Sequence, residues 1–191
     1  HNAMGSRIFK NIKGKVNVDE YIWENPSSSI EGVEHLREKI KDYDAMIAVG
    51  SGTVSDSIKY ATFLEKKTYS VFATTPMNAY TTGTASISFN GVKKSLVAHY
   101  AQGVFFDLEV LSNCPKRLTA AAFADVICRT TAQVDWLMSH KLLETNYQST
   151  PYSLLSLYEG DMIQSASSIA EGDINSLALL TRISAIMGLG T

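Results

Sequence analysis

The chain has 191 residues, of which 45% are hydrophobic and 19% charged, and its net charge is -2. This length and composition are those of one sizeable globular domain or two small ones, and they exclude a disordered chain. The charge balance provides no basic surface for nucleic acid, so we expect no nucleic-acid partner. No apolar run reaches the roughly 18 residues of a membrane helix, so no membrane insertion is expected.

The two ends of the chain carry separate signals. It begins with His1-Asn2-Ala3-Met4, which we interpret as a vector remnant, so residues 1–6 are left out of the fold prediction. Its last residues are Gly-rich and directly follow an apolar helix, so we expect a truncated chain. An exposed strand edge or helix face left by truncation would favour association into a homo-oligomer.

The two cysteines indicate the compartment. Cys114 and Cys128 do not form a CxxC pair, and neither has a histidine nearby in the sequence. We therefore interpret them as reduced thiols, which predicts a cytoplasmic protein.

The first predicted helix follows a Pro- and Ser-rich turn. Ser28 and Glu31 have the spacing of a capping box, which predicts that the helix starts at Ser28. Three apolar residues recur at the spacing of one helix face, so we expect Val33, Leu36 and Ile40 to be buried.

Two apolar runs, at residues 44–49 and 69–73, predict strands that are buried on both faces, as in a parallel sheet. Residues 54–64 between them predict a helix, and a Gly-rich turn joins this helix to the first strand. The order strand, helix, strand is a βαβ unit.

Further along, residues 74–84 predict a loop, Asn90-Gly91 the turn of a hairpin, and residues 103–107 another strand. Asp173 is the predicted N-cap of the last helix. The predicted helices of the second half are residues 115–140, 151–170 and 173–187.

The predicted fold class is α/β. A Rossmann-like parallel-sheet nucleotide-binding domain, residues 7–112, is followed by an all-helical domain, residues 113–191. The change of composition near residues 111–115 places the boundary between them.

The segment Gly50-Ser51-Gly52-Thr53 lies at the predicted turn from strand to helix. A helix N-terminus offers unpaired backbone amides and a partial positive charge, and both attract phosphate. The two glycines let the backbone approach a pyrophosphate without an intervening Cβ. The pattern is not GxGxxG, because Ser55 stands at the third glycine position, and it is not a Walker A loop. The turn by itself therefore leaves a purely structural role open.

Three motifs together resemble those of one superfamily. Residues 49–60, VGSGTVSDSIKY, resemble the GGGTxxDxxK signature of the iron-dependent alcohol dehydrogenase and dehydroquinate synthase superfamily. Residues 73–82 resemble its TAPSMDGYxS loop, and residues 123–136 its GxGDxxxKxxAxxDW helix. The GSGT form is similar to bacterial glycerol-1-phosphate dehydrogenases. The motifs come in the family's order, and the resemblance spans residues 44–191.

The resemblance implies a dehydroquinate synthase-like fold and an NAD- or NADP-dependent, metal-dependent oxidoreductase. It would interconvert sn-glycerol 1-phosphate and dihydroxyacetone phosphate, so its partner would be a small phosphorylated polyol. The family holds one divalent metal (Zn, Ni or Fe) by an aspartate, which matches Asp125, and two histidines. Those histidines belong to a segment that should begin where this sequence stops, so we expect the chain to bind a metal poorly. The chain's own His35, His99 and His140 are expected at the surface.

The matched positions give the predicted site. Asp125 and Asn78 are assigned to catalysis, and Asp125 is also the predicted metal ligand. Arg129 is a candidate partner for the substrate phosphate, whereas Lys59 is expected to pair with Asp56 and to take no part in catalysis. The predicted cofactor-binding residues are Gly50, Ser51, Gly52, Thr53, Val54, Thr74, Thr75 and Thr82.

Departures from the family pattern leave other functions open. Asn78 stands where the family has an aspartate, and Ala79 where it has a glycine. An asparagine can hydrogen-bond a hydroxyl but brings no charge to the site. The alternatives are a dehydrogenase of glycerol or another alcohol, a dehydroquinate synthase-like lyase and a noncatalytic relative. The low basic content near Asn78 disfavours the lyase.

Overall fold

The structure, a computed structural model, describes residues 2–190. His1, part of the predicted vector remnant, and Thr191, the last residue of the predicted helical domain, lie outside the described residues. A helix, α1, spans Asn2–Ile12 and begins inside the segment that was left out of the fold prediction.

The chain divides into two compact units that do not follow the sequence in two blocks. The first contains residues 2–74 and 83–106, and the second contains residues 75–82 and 107–190. The division therefore falls before the helix Leu108–Ser112, whereas the sequence placed it after this helix. The short helix packs against the last helix of the chain, which belongs to the second unit.

The first unit contains a parallel sheet and a separate hairpin. The helices that follow α1 are α2, Ile30–Ile40, and α3, Gly52–Leu64. The strands are β1 Ala45–Gly50, β2 Thr68–Ala73, β3 Thr84–Phe89, β4 Val92–Val97 and β5 Val104–Phe106. Strands β1, β2 and β5 form a parallel sheet in the order β1-β2-β5, and β3 and β4 form the antiparallel hairpin. The predicted βαβ unit is therefore confirmed.

Helix α2 starts one residue later than the capping-box spacing predicts. Ser29, and not Ser28, is the N-cap, and its hydroxyl accepts a hydrogen bond from the Gly32 amide at 3.2 Å. Ser29 has the extended backbone that an N-cap requires. The predicted apolar face is confirmed, because its three residues are at most 5% exposed.

Strand β1 is not buried on both faces as predicted. It lies at the edge of the sheet, and Ile47 is 52% exposed. In the central strand β2, the side chains on one face are buried, namely those of Tyr69, Val71 and Ala73. An apolar run has the same sequence pattern in an edge strand and in a central one, which is why the pattern overestimates the burial of β1.

The turn of the hairpin is the predicted Asn90-Gly91. Both residues have positive φ, 49° and 80°, as the tight turn between two antiparallel strands requires. Strand β3 of this hairpin packs against α3.

His99 follows the hairpin and is half-buried, so the prediction of a surface position is wrong for it. Its Nε2 lies 2.9 Å from the Thr62 hydroxyl, and its ring lies 5.2 Å from that of Tyr69 and 5.9 Å from that of Phe63. Burial lowers the pKa of His99 below 6.5; the charge of Lys59 acts in the same direction, and a hydrogen bond with the backbone of Lys59 opposes both.

This environment predicts a loss of stability in acid. The folded state favours the neutral ring, so the contribution of His99 is full above the unfolded-state pKa of about 6.5 and is lost as the pH falls through the lower folded-state pKa. We expect the thermal unfolding midpoint to fall between about pH 7.5 and about pH 5, and to fall less in His99→Gln. The exposed His35→Gln is the matched control and should behave as wild type. Equal pH dependence of His99→Gln and wild type would contradict the prediction.

The second unit is helical. Its helices are α4 Leu108–Ser112, α5 Lys116–Ile127, α6 Arg129–Leu143, α7 Thr150–Ser156, α8 Glu159–Gln164, α9 Ala166–Glu171 and α10 Ile174–Leu189. The loop 75–82 adds a 3-10 turn, Asn78–Tyr80. The core consists of Ala122, Met162, Ile169, Leu177, Leu180, Ile183 and Met187. Among residues 2–190, no helix is both long and apolar enough to cross a bilayer.

Two of the three long predicted helices are interrupted. Residues 115–140 form α5 and α6, which meet at Cys128, and residues 151–170 form the three helices α7, α8 and α9. At the first junction, the hydroxyls of Thr130 and Thr131 donate to carbonyls three residues earlier, at 3.0 and 2.7 Å. Such bonds compete with the helix ladder. The third helix, α10, is confirmed together with its N-cap Asp173.

Candidate functional site

The predicted phosphate loop is the turn from β1 to α3. Strand β1 ends at Gly50, Ser51 is the N-cap, and α3 begins at Gly52. The Ser51 side chain makes no capping hydrogen bond, so it leaves the first amides of α3 without the usual side-chain acceptor. An uncapped N-terminus of a 13-residue helix presents N–H donors and a partial positive charge, an arrangement that favours a phosphate group.

The burial along this turn changes abruptly. Residues 51–54 are half-exposed, whereas residues 55–59 are buried. A Cβ added at Gly50 would lie 3.0 Å from the Val54 side chain, so a larger residue here would press against Val54. The Ser55 hydroxyl is buried and has no hydrogen-bond partner, which sequence reasoning missed. The first turn of α3 is therefore accessible, and its backbone is closely packed at Gly50. The Ser55 hydroxyl in this turn lacks a hydrogen-bond partner.

The end of β2 brings Thr74 to the same edge of the sheet. Gly50 pairs with Ala73 in register, and the Thr74 amide donates to the Gly50 carbonyl at 3.2 Å. The carboxyl ends of parallel strands are the edge at which open α/β sheets bind ligands. Within the first unit, the structure thus brings Thr74 together with the loop that starts at Gly50.

The other two predicted cofactor threonines lie in the second unit, on the loop 75–82. The Thr75 hydroxyl is buried, 2.5 Å from the Tyr80 hydroxyl, and the Thr82 hydroxyl donates to the Ala79 carbonyl at 3.3 Å. Both side chains therefore help to shape the loop, a role that the sequence did not indicate. Their assignment to the nicotinamide side stays a prediction.

The turn that carries Asn78 is held by α10. The Thr81 hydroxyl lies 2.9 Å from the Ala185 carbonyl and 3.1 Å from the Asn78 carbonyl, so its one proton is donated to either or shared between them. Gly188 lies so close to this turn that an added Cβ would overlap Thr81 Oγ1 and lie 2.5 Å from the Asn78 carbonyl. Sequence reasoning missed Gly188, although an isolated glycine inside an apolar helix is the signal that could have indicated it.

Asp125 lies on α5 and is half-buried. In the part of the chain that the structure describes, no three His, Cys, Asp or Glu side chains cluster closely enough to hold a metal ion. Two of the histidines have other partners, because His35 bonds the Tyr21 hydroxyl and His140 the Thr145 carbonyl. Residues 2–190 therefore do not fit a complete metal site, and Asp125 as a ligand stays a prediction.

Comparison with known proteins decides the family. A sequence model described as iron-containing alcohol dehydrogenase matches residues 1–115. The chain belongs to the iron-containing alcohol dehydrogenase family. The predicted membership of this superfamily is thereby confirmed.

Relatives of this member of the family carry a more specific name. Glycerol-1-phosphate dehydrogenase (NAD(P)+) of Geobacillus thermodenitrificans is 34% identical over 120 residues, which are 62% of this chain and 30% of the relative. The protein of the same name from Pyrococcus abyssi is 33% identical over 162 residues, which are 83% of this chain and 46% of the relative. The chain thus spans less than half the length of these curated relatives.

A solved structure shares the fold. Glycerol dehydrogenase from Schizosaccharomyces pombe superposes with a TM-score of 0.79 at 16% identity, over 100% of this chain and 52% of that one. At this identity the likeness shows the fold alone. The likeness confirms the predicted α/β fold class.

Two residues of the family signature form a buried ion pair. Lys59 Nζ lies 3.3 Å from Asp56 Oδ1 and donates to the Thr84 carbonyl at 2.8 Å, and Asp56 Oδ2 accepts from the Ser86 amide at 3.2 Å. The predicted pairing is therefore confirmed, and it attaches the hairpin strand β3 to α3. Burial lowers the pKa of Lys59 and raises that of Asp56, and the attraction between the two charges opposes both shifts.

Proposed function

We propose that this chain serves in an NAD(P)-dependent dehydrogenase that interconverts sn-glycerol 1-phosphate and dihydroxyacetone phosphate. The observation that carries the proposal is the uncapped N-terminus of α3 at the carboxyl edge of the parallel sheet, beside Thr74. Family membership and the names of the two relatives support the same reaction.

Each part of the proposed site has a physical role. Gly50, Ser51, Gly52, Thr53 and Val54 bind the cofactor pyrophosphate through backbone amides and the helix dipole. When bound, the nicotinamide supplies or accepts the hydride.

The substrate side of the proposed site depends on loop 75–82 and α5. Asn78 offers an amide that hydrogen-bonds a substrate hydroxyl. We propose Asp125 as one carboxylate ligand of a divalent metal (Zn, Ni or Fe), since the family is named for its iron. The proposed location remains the cytoplasm.

A single substitution tests the loop. We expect Gly52→Asp to weaken NADH binding by about tenfold to a hundredfold, because the carboxylate repels the pyrophosphate. The same carboxylate in the first turn of α3 favours the helix dipole, so the fold should be retained. The measurement is a fluorescence titration with NADH, together with a thermal unfolding midpoint.

Gly160→Asp is the matched control. It introduces the same charge into the first turn of α8, where, apart from adjacent helix backbone, no atom of residues 2–190 lies within 4 Å of the added Cβ. We expect this variant to bind NADH as the wild type does. Equal NADH affinity of Gly52→Asp and wild type would show that the loop is not the pyrophosphate site.

Turnover separates the candidate reactions. The assay uses the full-length gene product and follows NADH oxidation by dihydroxyacetone phosphate with added Zn²⁺ or Ni²⁺. Glyceraldehyde and dihydroxyacetone serve as unphosphorylated substrates. Faster turnover of the phosphorylated ketone supports the proposal. Faster turnover of unphosphorylated substrates favours a glycerol or alcohol dehydrogenase, and absence of both turnover and NADH binding would exclude a dehydrogenase.

A further inference from the structure

A cavity of about 40 Å³ lies in the second unit, between the start of α6 and the helices α7 and α8. One buried water needs about 10–15 Å³ of such a cavity, so the cavity has room for about three waters or one small oxyanion. Its polar lining includes Arg129, Gln133 and Glu159.

Among the residues that line the cavity, Arg129 has a donor without a partner. Its Nε is buried and has no hydrogen-bond partner, and no carboxylate among residues 2–190 forms an ion pair with it. Arg129 as a whole is half-buried. Its guanidinium stays ionised, and a donor that is buried without a partner is unfavourable. An anion that entered the cavity would remove this cost.

A second donor lies one turn along the same helix. Gln133 is four residues after Arg129, so both project from one face of α6, and both line the cavity. The Gln133 amide makes one weak contact, 3.5 Å from the Tyr147 hydroxyl, so it can reorient toward a ligand. Glu159, the acidic residue in the lining, is exposed, and solvent screens its charge.

We propose that Arg129 and Gln133 bind a phosphomonoester in this cavity, namely the phosphate of the polyol-phosphate substrate. A guanidinium binds phosphate with two parallel hydrogen bonds, which makes arginine the suitable cation here. Asp125, the residue proposed to face the reacting end of the substrate, precedes Arg129 by four residues, across the junction of α5 and α6. The inference rests on the proposed function, because it assigns the phosphate of that substrate to a site.

Inorganic phosphate is the first probe. At about a hundred times its Kd, it should raise the wild-type unfolding midpoint by about 5–10 °C. Arg129→Gln should lose at least about tenfold in phosphate affinity by calorimetry. Arg117→Gln, which removes an exposed arginine from the same unit, should bind phosphate as the wild type does.

A competition experiment identifies the ligand, and a stability measurement tests the role of Arg129. sn-Glycerol 1-phosphate should compete with inorganic phosphate for one site, and glycerol should not. Without phosphate, Arg129→Gln should unfold at or above the wild-type midpoint, because a charged group with an unpaired buried donor has been removed. If that variant does not fold, Arg129→Lys, which keeps the charge but not the planar fork, should show an intermediate loss.

The inference would be overturned by equal phosphate affinity of wild type and Arg129→Gln, or by no effect of phosphate on the wild-type midpoint. Neither result touches the loop at α3, whose NADH affinity is measured separately with Gly52→Asp. Failure of the phosphate site and failure of the proposed dehydrogenase are therefore distinguishable.

Discussion

Replacing Lys59 by methionine is expected to lower the free energy of unfolding by about 3–5 kcal/mol, which is the cost of breaking a buried ion pair from one side. Methionine keeps most of the aliphatic stem, but it leaves the Asp56 carboxylate buried without its cation. It also removes the hydrogen bond from Lys59 to the Thr84 carbonyl. Chemical denaturation of the wild type and the variant measures the effect.

Two controls separate the buried charge from general damage. The double variant Asp56→Asn with Lys59→Met leaves no charge at the site and should lose less stability than Lys59→Met alone. Lys41→Met breaks an ion pair of the same i,i+3 spacing at the surface, with Glu38, and should leave the unfolding midpoint nearly unchanged. A Lys59→Met variant as stable as the double variant would be evidence against this account.

Gly188→Ala should destabilise the second unit by about 1–3 kcal/mol, because the added methyl group overpacks the contact between α10 and the Asn78 turn. Helix propensity alone predicts a gain in stability, since alanine is about 1 kcal/mol more favourable than glycine inside a helix. The Thr81 hydroxyl and the Asn78 carbonyl would have to move away from α10. The hydrogen bond from Thr81 to Ala185 would be lost with them.

Gly160→Ala gives the matched comparison. This glycine lies in α8, and no described residue beyond the adjacent helix backbone comes within 4 Å of an added Cβ. Alanine should therefore be neutral or slightly stabilising. Hydrogen exchange of residues 77–82 should accelerate in Gly188→Ala and stay at the wild-type rate in Gly160→Ala. A Gly188→Ala variant with a raised midpoint and unchanged exchange would show that the turn does not depend on this contact.

Local patterns predicted much of the fold. The βαβ unit, the Asn90-Gly91 hairpin and the Asp173 cap all follow from signals within a few residues, and all are present. The exposure of Ile47 was not predictable, because it depends on which strands flank β1 in space. The break at Cys128 was also missed, because the helical pattern of residues 115–140 continues through it.

The site shows the same limit. The turn from β1 to α3 and the Asp56–Lys59 pair could be predicted from one continuous motif. The contact of Gly188 with the Asn78 turn joins residues that are far apart in the chain, and no local pattern specifies it. The unpartnered Nε of Arg129 likewise depends on helices α7 and α8, which were predicted as parts of one helix.

The discontinuity of the second unit limits how this chain can be divided. Residues 75–82 belong to that unit although they are inserted in the sequence of the first, so the chain passes from one unit to the other three times. A protein beginning at residue 107 would carry α10 without the turn that packs on Gly188, and the face of α10 beside Gly188 would lose its neighbour. Residues 107–190 are therefore not expected to fold as an independent domain without residues 75–82. Domain transplantation or gene fusion should keep residues 75–82 together with 107–190, for instance through a designed linker or a circular permutation.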